Sequence, residues 1–364
     1  MPASFELAIN SKNGPYVVHV GSGMLKELEN DDCLRIVDES LITHYPWLEN
    51  PKNITVCALE KYKTINSASI IIEKMRSFGA RRDSKVVAIG GGIIQDLATF
   101  SASSYMRGID WNYYPTTLLG MVDSCVGGKS SLNVGKFKNI AGNFFPPQKI
   151  VIDPVFCKTL GKTQIVEGLF ECLKICFAGT DDQIDQFSSI ALKDTLQADE
   201  IALTELVKLS LKTKKHFIEV DEFDLGIRLN LNFGHTFGHA IESASKYAIS
   251  HGIAVGLGML MAIRVSEVFF NSSPPPKRTL SLEENLLKLL DEVADLKNLF
   301  DTVSRRQFLT HFNSDKKHSA NHYVMILINA EGNLERFKAP ISQATEKVIL
   351  SAFDRIKRDI YEIQ

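Results

Sequence analysis

Three of the nine histidines of this 364-residue chain, His235, His239 and His251, fall within one stretch, NFGHTFGHAIESASKYAISHG, residues 232–252. His235 and His239 are four apart, which on a helix puts both imidazoles on one face, about 6 Å apart at Cβ. Such a pair can chelate a metal, and it can equally be a polar helix face. His251 precedes Gly252 at the start of an apolar run, where a turn can project a ligand, and the three together point to a divalent cation. Glu171 lies inside an apolar helical stretch, VEGLFECLKICF, between Phe170 and Cys172. A buried carboxylate needs a partner. A divalent cation is one candidate and Lys174, one turn on, is the other; spacing alone leaves both open.

Two glycine-containing segments could bind phosphate groups. VVAIGGGIIQD (86–96) is a buried strand running into glycines and a helix start, a layout that brings backbone N–H groups to a pyrophosphate. Gly90 and Gly92 fit the GxGxxG fingerprint but Gln95 takes the third glycine position, so a nucleotide site and a plain strand–helix turn both remain open. In VDSCVGGKSSLNVGKFKN (122–139), Gly128-Lys129-Ser130 suggests a P-loop, yet Asp123 stands where that motif needs its first glycine, and the motif is excluded. Lys129, Lys138 and Asn139 beside Asp123, Ser130 and Ser131 make either a site for phosphate and hydroxyl groups or a solvated polar loop.

The elements that must carry these residues divide in texture. Up to about residue 160, short β-rich runs (YVVHV, LRIVD, ITVCAL, KVVAIGG, WNYYPTT, KIVIDP) alternate with helical patterns, which predicts a mostly parallel sheet covered by helices. One of those helices, IIQDLATFSASSYMRG, is expected to end at Arg107 with Gly108 as its cap. After Thr163 long segments with 3.6-residue apolar spacing follow, broken by a loop at NSSPPPK (271–277) and by a hairpin in HYVMILINAEGNLERF that turns at Glu331-Gly332-Asn333. The expectation is a Rossmann-like α/β domain over 1–160 and a mainly α-helical domain over 161–364.

Hydrophobic residues make up 45% and charged residues 23% of an ordinary globular composition, and a net charge of −2 gives no footprint for nucleic acid or an anionic membrane. MPASFELAINSKNG lacks a signal-peptide pattern. The apolar stretch GIAVGLGMLMAI stops at Arg264, well short of the roughly 20 residues that span a bilayer. Six cysteines without a CxxC pair read as reduced thiols of a cytoplasmic protein.

Taken together, GGGIIQDLATFSASSYMRG, PTTLLGMVDSCVGGKSSLN, KNIAGNF, GLFECLK, LGIRLNLNFGHTFGHAIE, HGIAVGLGMLMA and SDKK resemble, in order and over about residues 55–330, the motifs of the 3-dehydroquinate synthase family of sugar-phosphate cyclases. The resemblance implies Zn2+ or Co2+ held by Glu171, His235 and His251, with His239 beside the substrate phosphate instead. It implies NAD against Gly92, Ile93, Ile94, Gln95, Asp96, Thr116, Thr117, Lys129, Lys138 and the segment Phe156, Cys157, Lys158, Thr159, with Asp38 as a ribose contact and Glu60 and Lys63 matching the family's GExYK. Substrate contacts fall on Asp123, Lys129, Asn139, Lys174, Lys214, Arg228, Asn232, His239 and Lys317, and Arg107 matches an arginine donated across a homodimer interface.

The implied chemistry is oxidation of a metal-held hydroxyl by NAD, β-elimination of phosphate, return of the hydride, ring opening and aldol closure. Because Lys214, Arg228 and Asn232 are all kept, the implied substrate carries a carboxylate, as 3-deoxy-arabino-heptulosonate 7-phosphate does. Gln95, Leu59, Ile253 and Asp224 depart from the family's usual residues. The neighbouring readings are an amino-variant or sedoheptulose 7-phosphate cyclase, and a metal-dependent alcohol dehydrogenase that would release NADH.

Overall fold

The computed structural model describes residues 5–25, 28, 33–135, 137–271 and 274–363. Residues 1–4, and 272–273 of the loop expected at 271–277, lie outside the described residues. Eleven strands are seen among them: β1 (Phe5–Ile9), β2 (Tyr16–Val20), β3 (Leu34–Asp38), β4 (Ile54–Val56), β5 (Val86–Gly90), β6 (Trp111–Pro115), β7 (Leu132–Val134), β8 (Phe137–Ala141), β9 (Lys149–Ile152), β10 (His322–Ile328) and β11 (Leu334–Pro340). The helices that matter below are α1 (Ile65–Ser77), α2 (Gly92–Ser104), α3 (Lys162–Ala178), α4 (Glu200–Val220), α5 (His235–Ala244), α6 (His251–Phe270), α7 (Lys277–Asp291) and α8 (Gln343–Ile363).

Two compact units emerge, one of Met1–Gly161 with Leu192–Phe223, the other of Lys162–Ala191 with Asp224–Gln364. A single cut near residue 160 is therefore not how the chain divides. The segment carrying α4 sides with the first unit. Asp199 caps α4 by accepting from the N–H groups of Ile201 and Ala202. The Ser210 hydroxyl donates to the Val122 carbonyl at 2.8 Å, and the Lys208 and Lys212 ammonium groups lie over the Phe5 ring of β1.

The first unit is built on a seven-stranded sheet in the order β1-β2-β9-β6-β5-β3-β4. Only β1 pairs antiparallel within it, with β2; the rest is parallel. β5 reads VVAIG because every residue in it is buried, as expected of a strand covered on both faces. From β3 the chain goes outward to β4 and then returns to β5 on the other side of β3, which makes the β3/β5 crevice a topological switch point. The polar loop at 122–139 is more ordered than its composition suggests. It holds a π-helical turn over Gly120–Ser124 and the hairpin β7–β8.

α2 stops at Ser104, three residues before the end expected at Arg107. Met106 (φ 48°) and Arg107 (φ 70°) take left-handed backbone conformations, followed by Gly108 at φ 117°. Arg107 is exposed and ends the 3-10 turn Tyr105–Arg107, which Gly108 caps as expected, its N–H donating to the Tyr105 carbonyl.

In the second unit α6 is buried nearly all round. It runs through Arg264, where the apolar stretch was expected to end, because that guanidinium pairs with Asp359 of α8 at 2.8 Å as well as with Glu283 of α7. By length and hydropathy α6 could cross a membrane, but 78% of its apolar 18-residue window is buried inside the protein, as suits a core helix. β10 and β11 form the expected hairpin, with Gly332 at φ 85° in its turn.

Candidate active site

Glu171 projects from α3, His235 opens α5 and His251 opens α6. One carboxylate oxygen of Glu171, Oε1, lies 3.3 Å from His251 Nε2 and 3.8 Å from His235 Nε2. The other, Oε2, pairs with the buried Lys174 ammonium. The two partners that the spacing left open for Glu171 thus take different oxygens. His239 stands next to them: the ligand atoms of His235, His239 and His251 all lie within 4.8 Å of one another, and the three ring centroids are 5.2–5.6 Å apart.

The tautomers are set from behind. His251 Nδ1 is 3.3 Å from the Glu242 carboxylate, and His235 Nδ1 is 3.3 Å from the Phe233 carbonyl. Each outer acceptor holds the proton on Nδ1 and turns Nε2 towards Glu171, the arrangement in which imidazoles bind metal. Nothing in the sequence analysis singles out Glu242, although it follows His235 by two helical turns and His239 by three residues, on the same face of α5.

Glycines bring these helices together. A Cβ on Gly258 would lie 2.1 Å from the Gly234 carbonyl oxygen and 2.6 Å from the Gly238 nitrogen, and one on Gly252 would meet Glu167 at 2.6 Å. Gly234 itself, at φ 78°, starts α5 from a left-handed conformation.

Protonation follows from the same contacts. Burial, with Lys174 nearby, pushes His235 well below the usual imidazole range, and His239 is lowered too, by burial and Lys317. Burial also acts against the charged form of His251, but hydrogen bonds to Glu171 and Glu242 outweigh it and raise this histidine to about 10. At neutral pH His251 is therefore protonated, and a cation binding at its Nε2 would have to displace that proton. Binding of Zn2+ near pH 7.5 is expected to release about one proton per ion, with affinity rising as pH increases towards 10. Calorimetry in buffers of different ionisation enthalpy measures this; no released proton, or three, would contradict the arrangement.

Around the histidines, Lys317 is lowered by burial, its Nζ making no hydrogen bond among the described residues; Asp315 Oδ2 is 3.6 Å away. A poorly compensated ammonium beside this cluster suits an anionic ligand. Arg228 is buried in the 3-10 turn Ile227–Asn232, and Asn232 closes that turn by donating to the Leu229 carbonyl at 3.2 Å.

In the first unit the expected residues gather along the carboxyl edge of the sheet. Asp38 ends β3, Gly90 ends β5 opposite Pro115 of β6, and Thr116 and Thr117 follow directly. The Thr117 hydroxyl accepts from the Gly120 N–H at 3.1 Å and so starts the π-turn. Gly92 is the first residue of α2, and a Cβ there would meet nothing closer than Ser124 Oγ at 3.9 Å, leaving an open cradle at a helix N-terminus. Ile93 follows it, and Ile94 packs beneath Gly90, where a Cβ would collide at 2.4 Å. Lys63 bridges Asp96 at 3.1 Å and Asn139 at 2.8 Å. Burial raises Asp96 to about 6 against the pull of Lys63. Lys138 lies 3.7 Å from Glu60, Lys129 bridges to Phe144 across the loop, and Lys214 pairs with Asp123 in the π-turn. Phe156 and Cys157 are buried, Thr159 donates to the Phe156 carbonyl, and Lys158 pairs with Glu200 at 2.5 Å.

Comparison with known proteins gives this arrangement a family. Residues 53–167 match the profile of the 3-dehydroquinate synthase N-terminal domain and residues 168–318 that of its C-terminal domain. The chain is 32% identical to the 3-dehydroquinate synthase of Alkaliphilus metalliredigens over 350 residues, 91% of this chain and 94% of that one. The chain belongs to the 3-dehydroquinate synthase family. It is also 33% identical over 301 residues to the bifunctional 3-dehydroquinate synthase/phosphatase of Fusobacterium nucleatum, where the match covers 82% of this chain and 44% of that longer protein. Among solved structures, 2-epi-5-epi-valiolone synthase from Streptomyces hygroscopicus with NAD+ and Zn2+ bound shares the fold, with a TM-score of 0.78 at 21% identity over 94% of this chain and 97% of that one. So does 2-deoxy-scyllo-inosose synthase complexed with carbaglucose-6-phosphate, NAD+ and Co2+, with a TM-score of 0.76 at 22% identity over 95% and 100%.

The departures from the family's motifs have visible consequences. Gln95 is buried, donates from Nε2 to the Ser124 carbonyl at 2.6 Å and accepts from the Ser124 hydroxyl at 2.6 Å. It thereby ties α2 to the π-turn that carries Asp123. Ile253 is buried in the first turn of α6, and Asp224 adopts a left-handed conformation at φ 62°. Leu59 is half-exposed, and nothing in the structure explains that substitution.

Proposed function

We propose that this member of the 3-dehydroquinate synthase family converts 3-deoxy-arabino-heptulosonate 7-phosphate to 3-dehydroquinate and phosphate, as a carbon–oxygen lyase using NAD and Zn2+ or Co2+. The observation that carries the reading is the Glu171 carboxylate facing two imidazole Nε2 atoms whose Nδ1 atoms are held from behind. When bound, the cation supplies a Lewis acid for adjacent hydroxyls and the dinucleotide a reversible hydride acceptor. Glu171, His235 and His251 hold the cation. Asp38, Gly92 with the start of α2, Thr116 and Thr117 hold the dinucleotide, helped by Glu60, Lys63, Asp96 and Lys138. Lys129 and Asn139 meet the phosphate, while Arg228 and Asn232 meet the carboxylate. The test is phosphate release from this sugar phosphate without net formation of NADH. Accumulating NADH would favour an alcohol dehydrogenase.

Arg228 is expected to set the substrate class. Its guanidinium can grip a carboxylate with two parallel hydrogen bonds, worth roughly 2–4 kcal/mol. Arg228→Ala should raise KM for the carboxylated sugar phosphate by a factor of thirty or more, on the order of that energy. Turnover of sedoheptulose 7-phosphate by the wild type, with none of the carboxylated sugar, would overturn the assignment.

The enzyme is further proposed to work in the cytoplasm as a homodimer, each site completed by Arg107 of the neighbouring chain. Arg107 is exposed, makes no hydrogen bond or ion pair among the described residues, and sits on a backbone held in a costly conformation. Arg107→Ala and Lys129→Ala chains, each inactive alone, should regain part of the activity when folded together, because one hybrid site contains both residues. A hybrid that stays inactive would rule out the shared site.

A further inference from the structure

We propose that Asn133, the last residue of PTTLLGMVDSCVGGKSSLN and given no role so far, is a positioning residue that sets the Asn139 amide to donate to an anionic oxygen. This rests on the reading in which Asn139 meets the substrate phosphate. Asn133 sits in β7 and is 8% exposed. Its Oδ1 accepts from the Asn139 N–H at 3.0 Å. Its Nδ2 donates to Glu60 Oε1 at 2.9 Å and to the Glu60 carbonyl at 3.3 Å, and its own N–H donates to the Lys63 carbonyl at 2.8 Å. One small side chain therefore fastens the Glu60–Tyr62 turn to strand β8.

What it fastens is strained. Asn139 has φ 55° inside a strand, a left-handed conformation that asparagine visits more readily than most residues but that still needs support. The Asn133 oxygen supplies that support at the backbone, and Lys63 Nζ supplies it at the side chain, donating to Asn139 Oδ1 at 2.8 Å. An ammonium has only donors, so the amide oxygen must face Lys63. The NH2 group is then turned the other way, offering two N–H donors and no acceptor. A phosphate oxygen fits that end; a hydroxyl seeking an acceptor does not. Asn133 thus fixes where the amide sits, and Lys63 fixes which way round it is.

The alternative is that Asn133 only stabilises the hairpin, and a double-mutant cycle separates the two. Inorganic phosphate binding is measured calorimetrically on full-length wild type, Asn133→Ala, Asn139→Ala and the double variant, each loaded with Zn2+. Each single change should weaken phosphate about tenfold or more, the loss of a hydrogen bond to a charged group. The double variant should be no weaker than Asn139→Ala alone, since Asn133 acts through Asn139. Losses that multiply overturn the proposal. Asn133→Asp keeps the oxygen that receives the Asn139 N–H while removing the donor to Glu60, and should recover most of the affinity lost in the alanine variant. If it does not, the contact to Asn139 is not what matters and the proposal falls. Turnover is read separately: a wild type that binds phosphate with this coupling but releases none from the carboxylated sugar phosphate overturns the substrate and leaves Asn133 standing.

Discussion

A His235→Ala chain is expected to fold normally, to lose its divalent cation on dialysis and to release no phosphate from the sugar phosphate. The expectation follows from how little redundancy the centre has. Glu171 is committed on one oxygen to Lys174 and offers the other to His235 and His251, so in the proposed centre removing either imidazole would leave the cation with too few ligands in a buried place. Outer partners of metal ligands typically cost about 10–100-fold in affinity when removed; a direct ligand should cost more. Glu242→Gln is the graded companion, because it keeps the shape behind His251 while weakening the hold on Nδ1. Metal analysis and a thermal melt of both variants make the check. Full occupancy in His235→Ala would remove that residue from the ligand set.

Gly258→Ala should damage the same centre without touching a ligand. The added Cβ would run into the backbone of Gly234 and Gly238, neither of which can rotate away as a side chain would. Overpacking of this kind costs about 1–3 kcal/mol and more where backbone must move. The displaced helix is α5, which carries His235 and His239, against α6, which carries His251. The variant is therefore expected to melt earlier and to bind Zn2+ more weakly in parallel. A lower melting temperature with unchanged metal affinity would show that the helix contact and the centre are independent.

Much of this was legible in the chain. β2, β3, β5, β6 and β9 could be read because buried parallel strands are short runs of β-branched and aromatic residues, and α3, α4 and α6 because their apolar residues recur at helical spacing. The hairpin β7–β8 could not: its burial is uneven and half its residues are exposed, so it carries no alternation to see. Asp123 lies on a π-turn for the same reason, since one extra residue in a turn leaves no periodic trace. The need for glycine at 234, 238 and 258 carries no signal in local spacing; only the packed helices show why a methyl group is excluded. Glu242 and Asn133 escaped because they act on other residues, and long-range partnership is not written in local spacing.

The return of α4 to the first unit has a consequence for how the protein is made. The ribosome finishes β9 at Ile152, then emits α3 and the rest of Lys162–Ala191, all of it belonging elsewhere, before the helix that covers β1 and β2 appears. Until about residue 223 has left the exit tunnel, the β1–β2 end of the sheet waits without the helix that packs on it. The first unit therefore cannot mature ahead of the second in simple N-to-C order, and a fragment stopped at the family's own profile boundary, residue 167, carries the whole sheet but not the helix that packs on β1 and β2. Such a fragment presents apolar strands to other chains, which is the usual beginning of aggregation. Where the chain crosses back thus makes residues 192–223 a folding dependency of the nascent polypeptide.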